Sequence, residues 1–180
     1  MLAATLAKRP SSVNPPAVPT LLIVYQSTTG GAHQMALAAQ RGALRAGGAA
    51  VRLLHARDAT PDDVLAAQGY LWVTPEMLGA VGGLMKDFFD RSYYAVLDRI
   101  AARPYALLVC AGSDGQAAVR QVERIATGWR LRAVAPPRIV CTHAQTPQAI
   151  LAPKQIGAAD LQACEELGEA IASGLALGVF

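Results

Sequence analysis

Residues Leu21–Met35, LLIVYQSTTGGAHQM, decide the fold. An apolar run from Leu21 to Tyr25 breaks directly into a Ser/Thr/Gly turn, and that turn opens an Ala-rich stretch. Unbroken apolar residues without alternation describe a strand buried on both faces, as in a parallel sheet. Ser27, Thr28, Thr29, Gly30 and Gly31 then supply hydroxyls and permissive backbone. The first N–H groups of a helix lack intrahelical partners and carry a partial positive charge. Such a turn therefore cradles a phosphate without any Lys or Arg in the loop. The same turn also fits a hydroxyl-capped strand-to-helix connection with no ligand, so the neighbouring segments must decide.

Working outward, Ala32 to Ala46 reads as a helix with Met35, Ala38, Ala39 and Gly42 inward and Arg41 and Arg45 outward, stopped by Gly47 and Gly48. Ala50 to His55 is a second strand, and Thr60 with Pro61, Asp62 and Asp63 starts a short helix. Tyr70 to Thr74 is the next strand. After Pro75 to Gly83 comes a helix with Leu84, Phe88, Ser92 and Ala95 on one face and an outer Asp87/Arg91 pair. Tyr105 to Ala111 is a strand that ends in Gly112, Ser113, Asp114 and Gly115, before a helix carrying Val119, Val122 and Ile125. Arg138 to Thr142 is the last strand, preceded by a paired segment around Leu131 to Val134, and Asp160 to Leu175 closes the chain as a helix. Strands alternating with helices predict an α/β fold: a doubly wound, five-stranded parallel sheet of order 2-1-3-4-5 with helices on both faces.

The bulk numbers agree with one domain. The chain has 180 residues, 53% of them apolar, and a formal net charge of +3. That charge is scattered, so nucleic acid and anionic membrane are not indicated as partners. Cys110, Cys141 and Cys164 are odd in number and lack metal-ligand spacing, which reads as reduced buried thiols in a cytoplasmic protein with no metal site. Residues 1–19 are Pro-rich with late charges, the reverse of a secretory signal, and read as a disordered leader before a domain at 20–180. No stretch is long enough to insert in a membrane.

In a doubly wound sheet the ligand lies beyond the carboxyl ends of the strands, where strand order reverses. Three loops meet there: Ser27 to Ala32, Pro75 to Gly83, and Gly112 to Gln116. The first offers phosphate binding; Thr74 to Gly79 and Ala111 to Gly115 offer backbone polar groups and an apolar wall for a flat ring. Phosphate at one end and a ring at the other describe a mononucleotide.

On these residues the chain resembles the flavodoxin-like superfamily, and within it the NAD(P)H-dependent FMN reductases and quinone oxidoreductases. STTGGA at 27–32 is similar to that family's phosphate loop, TPEMLGAVGGLMKDFFDR at 74–91 to its first ring loop and following helix, and CAGSDG at 110–115 to its second ring loop. The resemblance implies FMN, with Ser27, Thr28, Thr29, Gly30, Gly31 and Ala32 around the phosphate. Thr74, Pro75, Glu76, Met77, Leu78 and Gly79 would border the ring, and Ala111, Gly112, Ser113, Asp114 and Gly115 would close its other edge. Ala32 departs from the family pattern, removing a hydroxyl contact of about 1 kcal/mol. The implied activity passes electrons from NAD(P)H through the flavin to a quinone or free flavin, with no catalytic side chain required and a homo-oligomeric assembly expected. The alternative is a flavodoxin-type electron carrier or redox-responsive module without NAD(P)H turnover; carriers of that kind are typically acidic, and this chain is not.

Three further readings stand beside these. His143, in CTHAQTPQAI, lies at the carboxyl end of its strand and could face the acceptor side or have no chemical role. Arg120, Arg124, Arg130 and Arg132 could meet the 2′-phosphate of NADPH or form a solvated basic face. AGSDG around Ser113 is similar to a nucleophile elbow, but position 111 is Ala and no Asp lies between Ser113 and His143 except the adjacent Asp114.

Overall fold

The computed structural model describes residues 18–180, so most of the expected leader, residues 1–17, lies outside the described part. Strand β1 (Thr20–Tyr25) feeds helix α1 (Gly31–Ala46), followed by β2 (Ala50–His55), α2 (Pro61–Ala66) and β3 (Gly69–Met77). A two-residue strand β4 (Ala80–Val81) and α3 (Gly83–Val96) lead to β5 (Pro104–Ala111) and α4 (Gln116–Gly128). The chain closes with β6 (Arg132–Ala133), β7 (Arg138–Cys141), α5 (Pro147–Leu151) and α6 (Ala158–Ala176).

The sheet runs β2-β1-β3-β5, with β6 and β7 both pairing with the outer side of β5, all in parallel. This is the doubly wound, flavodoxin-like order expected from the alternation. The strand count is larger, seven rather than five, for two physical reasons. The outermost position is split because Pro136 and Pro137 lie between β6 and β7 and cannot donate ladder hydrogen bonds. And β3 does not end at Thr74: it runs on to Met77 and folds back antiparallel onto β4, Glu76 opposite Val81 and Met77 opposite Ala80. Leu78 and Gly79, with φ of 52° and 72°, make the two-residue turn that such a hairpin needs.

Alternate residues of each strand feed two apolar layers. Leu21, Ile23, Leu71, Val73 and Leu108 pack under α1 and α6 with Met35, Ala39, Cys164 and Ile171. Leu22, Val24, Tyr70, Trp72, Leu107 and Val109 pack on the opposite face with Phe88, Val122 and Trp129. Strands buried on both faces explain the unbroken apolar runs. Helices α1 and α6 touch backbone to backbone: a Cβ on Gly42 would strike the Glu165 carbonyl, and one on Gly168 the Ala39 carbonyl.

Local signals are obeyed where they are strong. Thr60 caps α2 in a reciprocal capping box with Asp63, and Arg91 reaches Asp87 at 2.7 Å. The inner face of α3 is rotated slightly from expectation: Val96 is buried and Ala95 exposed, because the helix turns Met85, Phe88, Phe89 and Ser92 inward. Among the described residues, no helix is long and apolar enough to cross a membrane.

Candidate functional site

A cavity of about 270 Å³ opens at the carboxyl ends of β1, β3 and β5. Ser27, Thr28, Thr29, Gly31 and Ala32 line one end, and Pro75, Glu76, Met77, Ala111 and Gly112 the other. The strands bring together three loops that are far apart in sequence.

The first loop turns into α1 through Gly30, whose φ of 89° is a left-handed conformation that a side chain would strain. Its N–H is used locally, donating to Ser27 Oγ at 3.1 Å. The N–H groups of Thr28, Thr29, Gly31, Ala32 and His33 have no acceptor among the described residues, nor do the Thr28 and Thr29 hydroxyls a partner. Gly31 lies directly on Cys110, with a Cβ there only 2.6 Å from Sγ and 3.3 Å from Lys154 Cβ. A rim of undonated N–H groups and hydroxyls around glycine backbone suits a phosphate in donor type.

At the opposite end Glu76 joins two of the loops. The Gly115 N–H, at the start of α4, donates to Glu76 Oε2 at 2.8 Å, a carboxylate placed where the helix dipole favours one. Gly115 has φ 83° and no room for a side chain, since a Cβ would meet Ile139 Cγ2 at 2.6 Å. Thr74 is fully buried below the hairpin, its hydroxyl taking the Gly82 N–H at 3.2 Å and donating to the Pro75 carbonyl. Gln26, just after β1, ties that strand to α3 by accepting from the Met85 N–H at 2.9 Å.

Among the residues singled out from sequence, Gly30, Thr74 and Gly115 shape the backbone beneath the cavity without lining it. Leu78 and Gly79 sit at the exposed hairpin tip, Ser113 and Asp114 are exposed, and none of the four lines the cavity. His143 also points away from it: the residue is exposed at φ 54°, while its neighbours Thr142 and Ala144 line the wall. Ser113 has no hydrogen bond to a histidine among the described residues, which leaves the nucleophile-elbow reading without its base. Arg120, Arg124, Arg130 and Arg132 are exposed away from the lining.

One wall had no sequence signal. The segment after β7 folds over the cavity, placing Ile150, Leu151 and Lys154 against it. Lys154 donates its backbone N–H to the Thr29 carbonyl at 2.7 Å, and its ammonium caps the end of α5 on the carbonyls of Ala149, Ile150 and Ala152. Burial pushes the Cys110 thiol up to about 11, the nearby Lys154 charge pulling the other way. Cys141 is partly exposed and on the other sheet face; burial and then Asp114 and Glu76 raise its pKa.

The sequence profile of the NADPH-dependent FMN reductases matches residues 55–147, just over half of the chain and including both the β3–β4 hairpin and the loop after β5. The chain belongs to the NADPH-dependent FMN reductase family. A flavodoxin of Aquifex aeolicus is 40% identical over 70 residues, a stretch covering 39% of this chain and 38% of that protein. This family member is also similar in fold to a flavodoxin from the domain Archaea, with a TM-score of 0.70 and 19% identity over 87% of this chain and 98% of the other. A WrbA-like flavodoxin from Agrobacterium tumefaciens gives a TM-score of 0.60 at 18% identity, over 87% and 97% of the two chains. At those identities the structural likeness establishes the flavodoxin-like fold.

Proposed function

We propose that residues 20–180 form one FMN-binding domain that works as an NAD(P)H-dependent oxidoreductase, with a quinone or free flavin as electron acceptor. The observation that supports this reading is one cavity lined at once by residues at the start of α1 whose N–H groups have no acceptor among the described residues and by residues of β3 and β5. Family membership supplies the chemistry class. When bound, FMN would take hydride from the nicotinamide and release electrons to the acceptor.

The chain's own residues bind and orient. The N–H groups of Thr28, Thr29, Gly31 and Ala32, with the Thr hydroxyls, hold the phosphate. Ala32 cannot add a further hydroxyl, so retention rests on the backbone donors and the two Thr hydroxyls. Pro75, Glu76, Met77, Ala111 and Gly112 border the ring, and Met77, Ile150 and Leu151 give its open side an apolar rim. Glu76 contributes by fixing the hairpin to α4. No side chain in the cavity is required to move a proton. Exposed apolar residues at its mouth, including Leu78 and Leu151, favour a homo-oligomer that covers them, which sedimentation velocity tests.

The test is the visible spectrum of protein reconstituted with FMN and desalted. Retained flavin bands that bleach with NADPH and return with a quinone support the oxidoreductase; loss of flavin on desalting with no spectral perturbation on titration overturns it. The similarity to the Aquifex flavodoxin favours a second reading, an electron carrier. Bands that stay unbleached with NADH and NADPH yet reduce with dithionite would select it.

A further inference from the structure

Gln34 sits one turn into α1, and its side chain makes three hydrogen bonds to backbone. Nε2 donates to the Gly30 carbonyl at 3.2 Å and to the Lys154 carbonyl at 2.6 Å, and Oε1 accepts from the Ile156 N–H at 3.2 Å. The Gln34 N–H also donates to the Gly30 carbonyl, at 3.0 Å, and the Lys154 N–H to that of Thr29, at 2.7 Å. One amide thus ties two loops separated by 120 residues.

These bonds decide which way the loop's dipoles point. In a planar trans peptide the carbonyl and the next N–H face opposite ways, and the described chain has no cis peptide bond. With the Thr29 carbonyl held by Lys154, the Gly30 N–H is turned away to Ser27 Oγ. With the Gly30 carbonyl held by Gln34, the Gly31 N–H is turned away from Gln34 and left without an acceptor on a residue that lines the cavity. Gly30 and Gly31 carry no side chain to resist rotation of the peptide between them. Rotated, that peptide would offer a carbonyl oxygen to an anion in place of an N–H.

We infer that Gln34 is a positioning residue for anion recognition. Its side chain adds a second hydrogen bond to the Gly30 carbonyl that the α1 backbone already holds and staples Lys154–Ile156 over the loop, and so strengthens the preference of the site for a phosphorylated flavin over its unphosphorylated parent. The inference rests on the FMN reading above, and it deepens that reading by assigning phosphate selectivity to a side chain that does not line the cavity.

The experiment compares FMN and riboflavin affinities, by quenching of flavin fluorescence, for the full-length wild type and Gln34→Met. Methionine keeps the length, adds no charge and leaves the backbone N–H of residue 34 on the Gly30 carbonyl, but its side chain makes none of the three amide bonds. The expected result is a loss of about tenfold in the FMN-to-riboflavin affinity ratio, with riboflavin binding unchanged. A merely structural role would weaken both flavins equally; that outcome, or an unchanged ratio, overturns the inference while leaving the FMN reading in place. A wild type that binds both flavins alike, with inorganic phosphate failing to compete, removes the FMN reading and this inference with it. Hydrogen exchange of the unliganded wild type covers the case in which Gln34→Met does not fold. Slow exchange at the Lys154 and Ile156 amides supports the staple, and exchange at the rate of an open chain overturns it.

Discussion

The two ends of the cavity are built on opposite plans. The end beside α1 is closed by the chain itself: Gly31 abuts Cys110, the Thr29 and Gly30 carbonyls are occupied by Lys154 and Gln34, and the N–H groups of Gly31 and Ala32 are left without acceptors among the described residues. The other end is an open jaw, with Met77 and Leu78 on the hairpin and Ile150 and Leu151 on α5 all substantially exposed. A site that is rigid and polar at one end but apolar and unfinished at the other anchors a ligand by its anion and leaves its ring accessible. Accessibility is what a flavin that must meet both a nicotinamide and an acceptor requires.

The closed end is the more fragile, because its backbone is already in close contact with its neighbours. Gly31→Val places branched carbon against Cys110 Sγ and the Lys154 stem, where even a Cβ would lie 2.6 Å and 3.3 Å from them. Overpacking of this kind costs about 1–3 kcal/mol; borne by the binding loop, it should lower FMN affinity about tenfold to hundredfold, measured by fluorescence titration. An affinity within a few-fold of wild type would show that the phosphate end is more pliant than its contacts imply.

Thiol chemistry sharpens the same contrast. Burial pushes Cys110 up to about 11, so at pH 8 its thiolate is scarce and covered, whereas Cys141 is partly exposed. Iodoacetamide should modify Cys141 at least about tenfold faster, read by peptide mass spectrometry, with Cys110 reacting only as pH rises toward its own pKa. Equal rates would mean that the loop over Cys110 opens readily.

At the open end the strongest single tie is Glu76 to Gly115. Glu76→Ala removes a charged acceptor from the α4 N-terminus and should lower stability by about 1–2 kcal/mol in urea unfolding. FMN affinity should drop only several-fold, because the phosphate end stays intact. A larger loss than that of Gly31→Val would reverse the ranking of the two ends.

How much of this was readable in advance follows the same division. The β1 run, its Gly turn and the strand ends were legible because buried parallel strands and helix N-termini leave local signatures, as at Leu21–Tyr25 and Ser27–Gly31. The hairpin was not: Pro75 reads as a strand stop, yet it remains paired with Cys110 while its carbonyl takes the Gly82 N–H. Nor was the staple legible, since Gln34 and Lys154 carry no periodicity or motif and meet only through the tertiary fold. His143 shows the reverse failure. A polar loop at the right end of a strand placed it near the cavity, but one residue's turn at φ 54° goes with a side chain that stays outside.

The smallest effect belongs to Leu78, and it separates folding from function at the open end. Leu78 holds φ 52° and is fully exposed, so in the isolated chain it bears left-handed strain without any packing in return. Leu78→Asn relieves that strain, since Asn tolerates this conformation, and should raise stability by about 0.5–1 kcal/mol in urea unfolding. FMN affinity should not change, because Leu78 does not line the cavity. If the jaw closes on an acceptor or a second copy of the chain, the same substitution should raise the quinone KM or shift the sedimentation coefficient toward monomer while stabilising the fold. Greater stability with neither change would assign Leu78 to the turn alone, and the open end would then owe its apolar surface to Met77, Ile150 and Leu151.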